Sequence, residues 1–166
     1  VAKVPEIAPK VDILLGNLED AVPASDKEAA RAGLVKVGKT VDMGDTQLWT
    51  RVNSLDSPWV LDDLTTLVTE VGDRLDVVMV PKVQGPEDIH YVDRLLAQLE
   101  ARAGLTQPVL VHAILETARG VANVEEIAGA TLREAYTIRE KQVRQGKVAE
   151  AKSAVMASLS PRNSST

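Results

Sequence analysis

Val11-Asp12-Ile13-Leu14-Leu15-Gly16-Asn17-Leu18-Glu19-Asp20-Ala21-Val22 is an apolar run of strand length that ends in two adjacent carboxylates. Its apolar residues run on rather than alternate, which predicts a strand over Val11 to Leu18 buried on both faces, as in a parallel sheet covered by helices. Charges at the mouth of such a strand are costly unless something pairs with them, coordinates them or uses them. A second run ends the same way, Val109-Leu110-Val111-His112-Ala113-Ile114-Leu115-Glu116, and between the two lies Leu48-Trp49-Thr50-Arg51-Val52-Asn53. Three strand ends therefore offer an acid, a cation and an acid.

The segments between these runs have helical period. Ser25-Asp26-Lys27-Glu28 predicts a capped helix start, with Ser25 as cap and Glu28 three residues on, and the helix should reach about Val37. Gln47 to Val52 is the next strand. Ser57-Pro58 opens a second helix through Val71, with Pro58 at its first position and Leu61, Leu64, Leu67, Val68 and Val71 as its apolar stripe. Val77 to Val80 is a third strand, ending in Pro81-Lys82. Gly85-Pro86-Glu87-Asp88 leads into a helix with Ile89, Val92, Leu95, Leu96 and Leu99 on one face, stopped by Gly104. Val109 to Leu115 is the fourth strand, with a further helix from about Ala122 to Ala130.

Strand and helix in strict alternation, without a hairpin signal, predict parallel βαβ units. In such sheets and barrels the chemistry sits at the carboxyl ends of the strands. Glu19, Asp20, Arg51, Asn53, Lys82 and Glu116 all fall at or just past those ends. A lone Glu19-Asp20 pair would read as an ion-pair or helix-end feature; beside Arg51 and Glu116 it reads as part of a site. Lys82 reads either as a ligand for a phosphate or as a neutraliser of Asp20. His112 reads as a hydrogen-bonded core histidine, His90 as surface, and Gly16 as a point of close backbone approach.

Composition narrows the function classes. The 166 residues suffice for one core. A net charge of −5 supplies no basic patch for nucleic acid, and no apolar run approaches the roughly twenty residues of a membrane span. The absence of cysteine excludes disulfides and thiolate metal sites and fits a cytoplasmic setting. No phenylalanine is present, so Val, Leu, Ile and Ala must fill the core. From Leu132 to Leu159 the sequence is rich in Ala, Lys, Glu, Arg and Gln and predicts one long helix, with Gly146 as the point where it would break. The charge run from Arg139 to Lys152 reads as its solvated face. Two regions result: 1–130 as a partial barrel domain, and 131–166 as a helical extension with a polar tail from Ser160.

Five linked blocks resemble the citrate-lyase beta-chain-like branch of the HpcH/HpaI aldolase superfamily, most of all its malyl-CoA and beta-methylmalyl-CoA lyases. They are Leu18-Glu19-Asp20-Ala21-Val22 with Lys27 and Ala30-Arg31; Arg51-Val52-Asn53; Pro81-Lys82-Val83; Glu87-Asp88; and Glu116-Thr117-Ala118-Arg119-Gly120-Val121. The resemblance implies an α/β fold, a (β/α)8 TIM barrel of which this chain carries about four units. It implies Mg²⁺ as cofactor, with Glu116 as a metal ligand, Arg51 as the contact to substrate oxygens, and Glu19 and Asp20 beside them holding the arginine and the metal's waters. Arg51, Glu19 and Asp20 are then the catalytic candidates, and Arg51, Asn53 and Lys82 the substrate-binding ones. The implied reaction cleaves a 3-hydroxyacyl-CoA, malyl-CoA or beta-methylmalyl-CoA, to glyoxylate and acetyl-CoA or propionyl-CoA. The base for the hydroxyl proton has no nominee in this sequence.

Several family features are missing from the 166 residues. A barrel takes about 250 residues. The family's opening strand has at most Val1 to Pro9 to represent it, and its Ser-Pro-Arg block is matched only by Ser160-Pro161-Arg162, after the helical segment. The Gly-x-x-Asp strand that brings a second metal carboxylate, and a C-terminal acid, are not in the sequence. Two expectations follow: a lyase complete only with further residues, or a non-catalytic half-barrel acting as a binding or oligomerisation module. Two open sheet edges favour a homo-oligomer in either case.

Overall fold

The computed structural model describes residues 3–131, so the expected helix over 132–159 and the polar tail lie outside the described residues. A short helix α1 (Val4–Ile7) and a 3₁₀ turn at Ala8–Lys10 precede the first strand, where the reading had at most a remnant strand. Then β1 (Ile13–Asn17), α2 (Lys27–Thr40), β2 (Gln47–Arg51), α3 (Val60–Val71), β3 (Leu75–Val80), α4 (Pro86–Ala103) and β4 (Leu110–Ala113) alternate. Two short helices, α5 (Ala118–Ala122) and α6 (Val124–Ala128), follow in place of the single helix expected from Ala122. The strands form one parallel sheet in the order β1-β2-β3-β4.

Helices cover one face of this sheet. Leu48, Thr50, Val78, Val80 and Val111 lie under them, together with Leu64, Leu67 and Val68 of α3 and Ile89, Val92 and Leu96 of α4, all essentially inaccessible. Each apolar side chain of this set contributes about 1.5–3 kcal/mol relative to exposure. On the other face stand Leu15, Trp49, Met79 and His112, carried by paired positions of neighbouring strands. Ile13 and Leu15 of β1 are 42% and 52% exposed, which corrects the expectation of a strand buried on both faces. The reason is position: β1 ends the strand order, and α2 packs on its Leu14 and Gly16 side only. A Cβ on Gly16 would stand 2.7 Å from Leu34 Cδ1 of α2, so the glycine does mark a close approach.

Boundary signals succeed and fail for identifiable reasons. Gly104 ends α4 in the left-handed region at φ 69°, where the Leu105 amide donates to Glu100 O at 3.0 Å. The Ser25 cap does not form, because Ala24–Asp26 makes a 3₁₀ turn ahead of α2. Helix α3 begins two residues after Pro58, since Ser57 Oγ accepts the Trp59 amide at 3.4 Å and closes a lead-in turn. Val60 then joins the buried stripe and Leu61, 53% exposed, leaves it. Between β2 and β3 the register slips: Leu48 faces Leu75, Trp49 faces Val77, and Asp76 is the extra residue. No helix among the described residues is long and apolar enough to cross a membrane.

Candidate active site

Parallel pairing brings the carboxyl ends of all four strands to one rim. The ladder continues one step past the strands, with Leu18 N donating to Arg51 O at 2.8 Å, Val52 N to Met79 O at 3.1 Å and Ile114 N to Val80 O at 2.9 Å. At the end of β1, Asn17 Oδ1 accepts the Glu19 amide at 2.8 Å, an Asx turn that directs the chain across the rim. Glu19, only 4% exposed, there meets Arg51.

Arg51 is the centre of the arrangement. Its Nη2 pairs with Glu19 Oε2 and lies 3.4 Å from both Asp20 Oδ2 and Glu116 Oε1. Lys82 adds a second cation, its Nζ 2.8 Å from Glu19 Oε1 and 3.6 Å from Asp20 Oδ1. The Lys82 amide donates to Glu116 Oε1 at 3.1 Å, which joins the third strand end to the fourth. Lys82 takes the left-handed conformation at φ 55°, uncommon for a residue with a side chain and frequent where a site fixes the backbone. Glu19 first, by hydrogen bond and charge, and then Asp20 raise the Lys82 pKa above its ordinary 10.5, with desolvation opposing them.

The packing of charges outruns their hydrogen bonding. Both Glu19 carboxylate oxygens lie within ion-pair distance of a cation, and the buried Nε of Arg51 meets no acceptor among the described residues. Attraction at these separations tolerates misalignment that a hydrogen bond does not. Asp20 and Glu116 remain open to solvent, their side chains 67% and 36% exposed. Hard carboxylate oxygens reachable from water suit a divalent cation that keeps most of its hydration shell. Among the described residues no three His, Cys, Asp or Glu side chains enclose a cation, and Asp20 and Glu116 are the open carboxylates this rim presents.

Behind this rim lies a second polar layer, whose Lys27, Arg31 and Asn53 fall in the family blocks and whose Asp63 does not. Lys27 Nζ donates to Leu18 O, Glu19 O and Asn53 Oδ1 at 2.6, 2.7 and 2.6 Å. Asn53 Nδ2 and its amide donate to Asp63 Oδ2 at 2.6 and 3.0 Å, and Asp63 Oδ1 takes Arg31 at 2.9 Å. Asn53 is thus 2% exposed and committed to Lys27 and Asp63, one layer behind the rim on which Arg51, Lys82, Glu19, Asp20 and Glu116 meet. The available signal was charge on apolar stripes: Lys27 and Arg31 precede Leu34 on one face of α2, and Asp63 sits among Val60, Leu64 and Leu67. Thr117 caps α5, accepting the Gly120 amide at 2.9 Å, which leaves Glu116 free of that role. His112 is half-buried on the sheet face opposite the helices, its ring 5.7 Å from that of Trp49, and His90 is exposed as expected.

Known proteins share this framework. The chain is 60% identical over 132 residues to the malyl-CoA/beta-methylmalyl-CoA/citramalyl-CoA lyase of Chloroflexus aurantiacus, across 80% of this chain and 38% of that enzyme. It spans well under half the length of that relative. Among solved structures it resembles RipC from Yersinia pestis at TM-score 0.58 and 28% identity, over 75% of this chain and 49% of the other. The malate synthase of Haloferax volcanii shares the fold at TM-score 0.64 and 15% identity, over 84% and 40%. The four parallel βα units are accordingly part of a TIM-barrel-like α/β fold. Residues 5–139 match the HpcH/HpaI aldolase/citrate lyase profile, and the chain belongs to that family.

Proposed function

We propose that this chain is part of an Mg²⁺-dependent carbon–carbon lyase. Its substrate is a 3-hydroxyacyl-CoA, malyl-CoA or beta-methylmalyl-CoA, and its products are glyoxylate and acetyl-CoA or propionyl-CoA. One observation carries the reading: a single guanidinium, Arg51, collects carboxylates from the ends of β1 and β4 at the rim where βα folds do chemistry. The likeness to a lyase of this type supports the substrate class.

Cleavage removes the proton of the 3-hydroxyl, breaks the bond between C2 and C3, and leaves the electron pair on the thioester side as an enolate. Protonation of that enolate gives the acyl-CoA, and C3 becomes the aldehyde carbon of glyoxylate. Arg51 presents paired donors to the carboxylate of the glyoxylate half or to its oxygen as charge develops there. Its buried Nε, without an acceptor among the described residues, would gain one from the substrate. Glu19, held between Arg51 and Lys82, fixes the direction of that fork. Lys82, kept protonated by Glu19 and Asp20, adds positive charge for a carboxylate or phosphate of the CoA substrate. Glu116 would hold the metal, with Asp20 beside it on the metal's waters, and the bound ion would supply Lewis acidity at the carbonyl oxygen. Asn53 supports this set from behind.

The reading also implies a cytoplasmic homo-oligomer, and further chain or further copies would cover Ile13 and Leu15. The test expresses the segment with whatever sequence adjoins it in its own reading frame and measures glyoxylate release from malyl-CoA and beta-methylmalyl-CoA. Release should require Mg²⁺, stop with chelator, and fall by about 10²-fold or more in Glu116→Gln. Undiminished activity of Glu116→Gln would overturn the assignment. A folded protein without activity on either thioester would favour the binding-module alternative.

A further inference from the structure

We propose that Lys27 is a positioning residue of the rim, acting through the main chain of Leu18 and Glu19 to hold the Glu19 carboxylate against Arg51. Lys27 is 6% exposed, although an ammonium is among the costliest groups to bury. Its three hydrogens have three acceptors, Leu18 O, Glu19 O and Asn53 Oδ1, so its donor capacity is filled. The Trp59 ring, 5.2 Å from Nζ, closes the remaining side. Nothing in this set reaches the substrate side of the rim. What Lys27 grips is backbone, at the two residues where the chain leaves β1.

Those two carbonyls are where a grip has leverage. Beyond Leu18 the sheet ladder is finished, and the Glu19 peptide is otherwise fixed by the Asn17 side chain and by the Val22 amide, which donates to Glu19 O at 3.0 Å. A peptide free to rotate there would swing the Glu19 side chain away from Arg51 and Lys82. Lys27 prevents this by tying the end of β1 to Asn53, two residues beyond Arg51, at the end of β2. Asn53 is itself immobilised through Asp63 by Arg31, one helical turn after Lys27 on the same face of α2. Helix α2 thus anchors the two strand ends from behind, and the Glu19–Arg51 ion pair joins the same two ends in front.

The kinetic arm of the test rests on the lyase reading; the second arm does not. In the intact protein, Lys27→Met should lower kcat by about ten-fold or more while KM for the acyl-CoA stays within about three-fold, since misplacement of a reacting group acts on turnover. Val92→Ala in α4, giving a similar loss of urea midpoint, should leave kcat within about two-fold; an equal loss there would reduce Lys27 to a structural role and overturn the proposal. The second arm is a double-mutant cycle on urea stability between Glu19→Gln and Arg51→Met, run with Lys27 and again with Lys27→Met, or with Lys27→Gln if the methionine variant does not fold. The Glu19–Arg51 coupling should drop by more than half when Lys27 is replaced. An unchanged coupling overturns the proposal even if the parent protein is an active lyase. A parent inactive on both thioesters, with the coupling lost as expected, removes the lyase reading and leaves the Lys27 assignment standing.

Discussion

The two ends of the four strands handle polar groups in opposite ways. At the amino ends, acidic side chains meet backbone amides: Asp76 Oδ2 accepts Leu48 N at 2.9 Å, and Glu100 Oε1 accepts Val109 N at 2.8 Å. Thr46 Oγ1, at the same end, lies 2.6 Å from Ala8 O and 2.8 Å from Val11 O. At the carboxyl ends charge meets charge, with Glu19, Asp20 and Glu116 around Arg51 and Lys82, and Asp63 on Arg31. Polar residues occupy both ends, and an exposed Lys39–Glu70 pair joins the last turns of α2 and α3; what distinguishes the carboxyl ends is the cluster of three carboxylates around Arg51 and Lys82. At the amino end, side chains bind backbone groups. The carboxyl end stores fixed charge, which costs stability unless each partner is present.

Substitutions can break this contrast, and the largest effect falls on the layer behind the rim. Asp63→Ala strands the Arg31 guanidinium in the interior and should cost about 3–5 kcal/mol, read from the urea midpoint. A loss below about 1 kcal/mol would mean that water replaces the carboxylate and that the layer is not dry. Arg51→Lys keeps a cation beside Glu19 but loses the fork, so glyoxylate release should fall by about 10²-fold with little change in stability. Glu100→Ala, at the opposite end, should reverse that pattern: about 1–3 kcal/mol of stability lost, from an amide left without this acceptor, and kcat unaltered.

The smallest effect sharpens the contrast through pH. Because Lys82 has a raised pKa in the folded protein, its contribution is fully present below the ordinary value of 10.5 and is lost as pH climbs through the raised one. The stability difference between the parent and Lys82→Met should therefore be constant at neutral and mildly alkaline pH and shrink above pH 10.5. Lys82 is half-exposed, so solvent screening keeps this difference small. A difference that grows with pH would assign the charge contact to another group.

What the sequence disclosed follows from how far each signal reaches. Glu19, Asp20, Arg51, Lys82 and Glu116 could be grouped because parallel βα topology carries every strand end to one rim, so position along the chain becomes position in space. Asn53 misled because strand period would keep it on the Arg51 side, whereas β2 stops at Arg51 and the alternation stops with it. Lys27 and Arg31 were legible only as members of a family block and Asp63 not at all: the Arg31–Asp63 pair spans 32 residues, and a charge on an apolar stripe names no partner. The exposed face of β1 was hidden for another reason. An unbroken apolar run describes both a strand covered on two sides and one whose second cover lies elsewhere, and Ile13 and Leu15 belong to the latter among the described residues.

The extra residue at Asp76 has a consequence of a different kind. A bulge bends its strand and tightens the local right-handed twist. Fibrillar aggregation needs flat strands stacking in register at a fixed spacing. With Leu48 opposite Leu75 and Trp49 opposite Val77, the slip adds local curvature to the middle of this sheet. The slip at Asp76, the one irregularity in the ladder among the described residues, thus works against flat, in-register stacking of this part of the sheet.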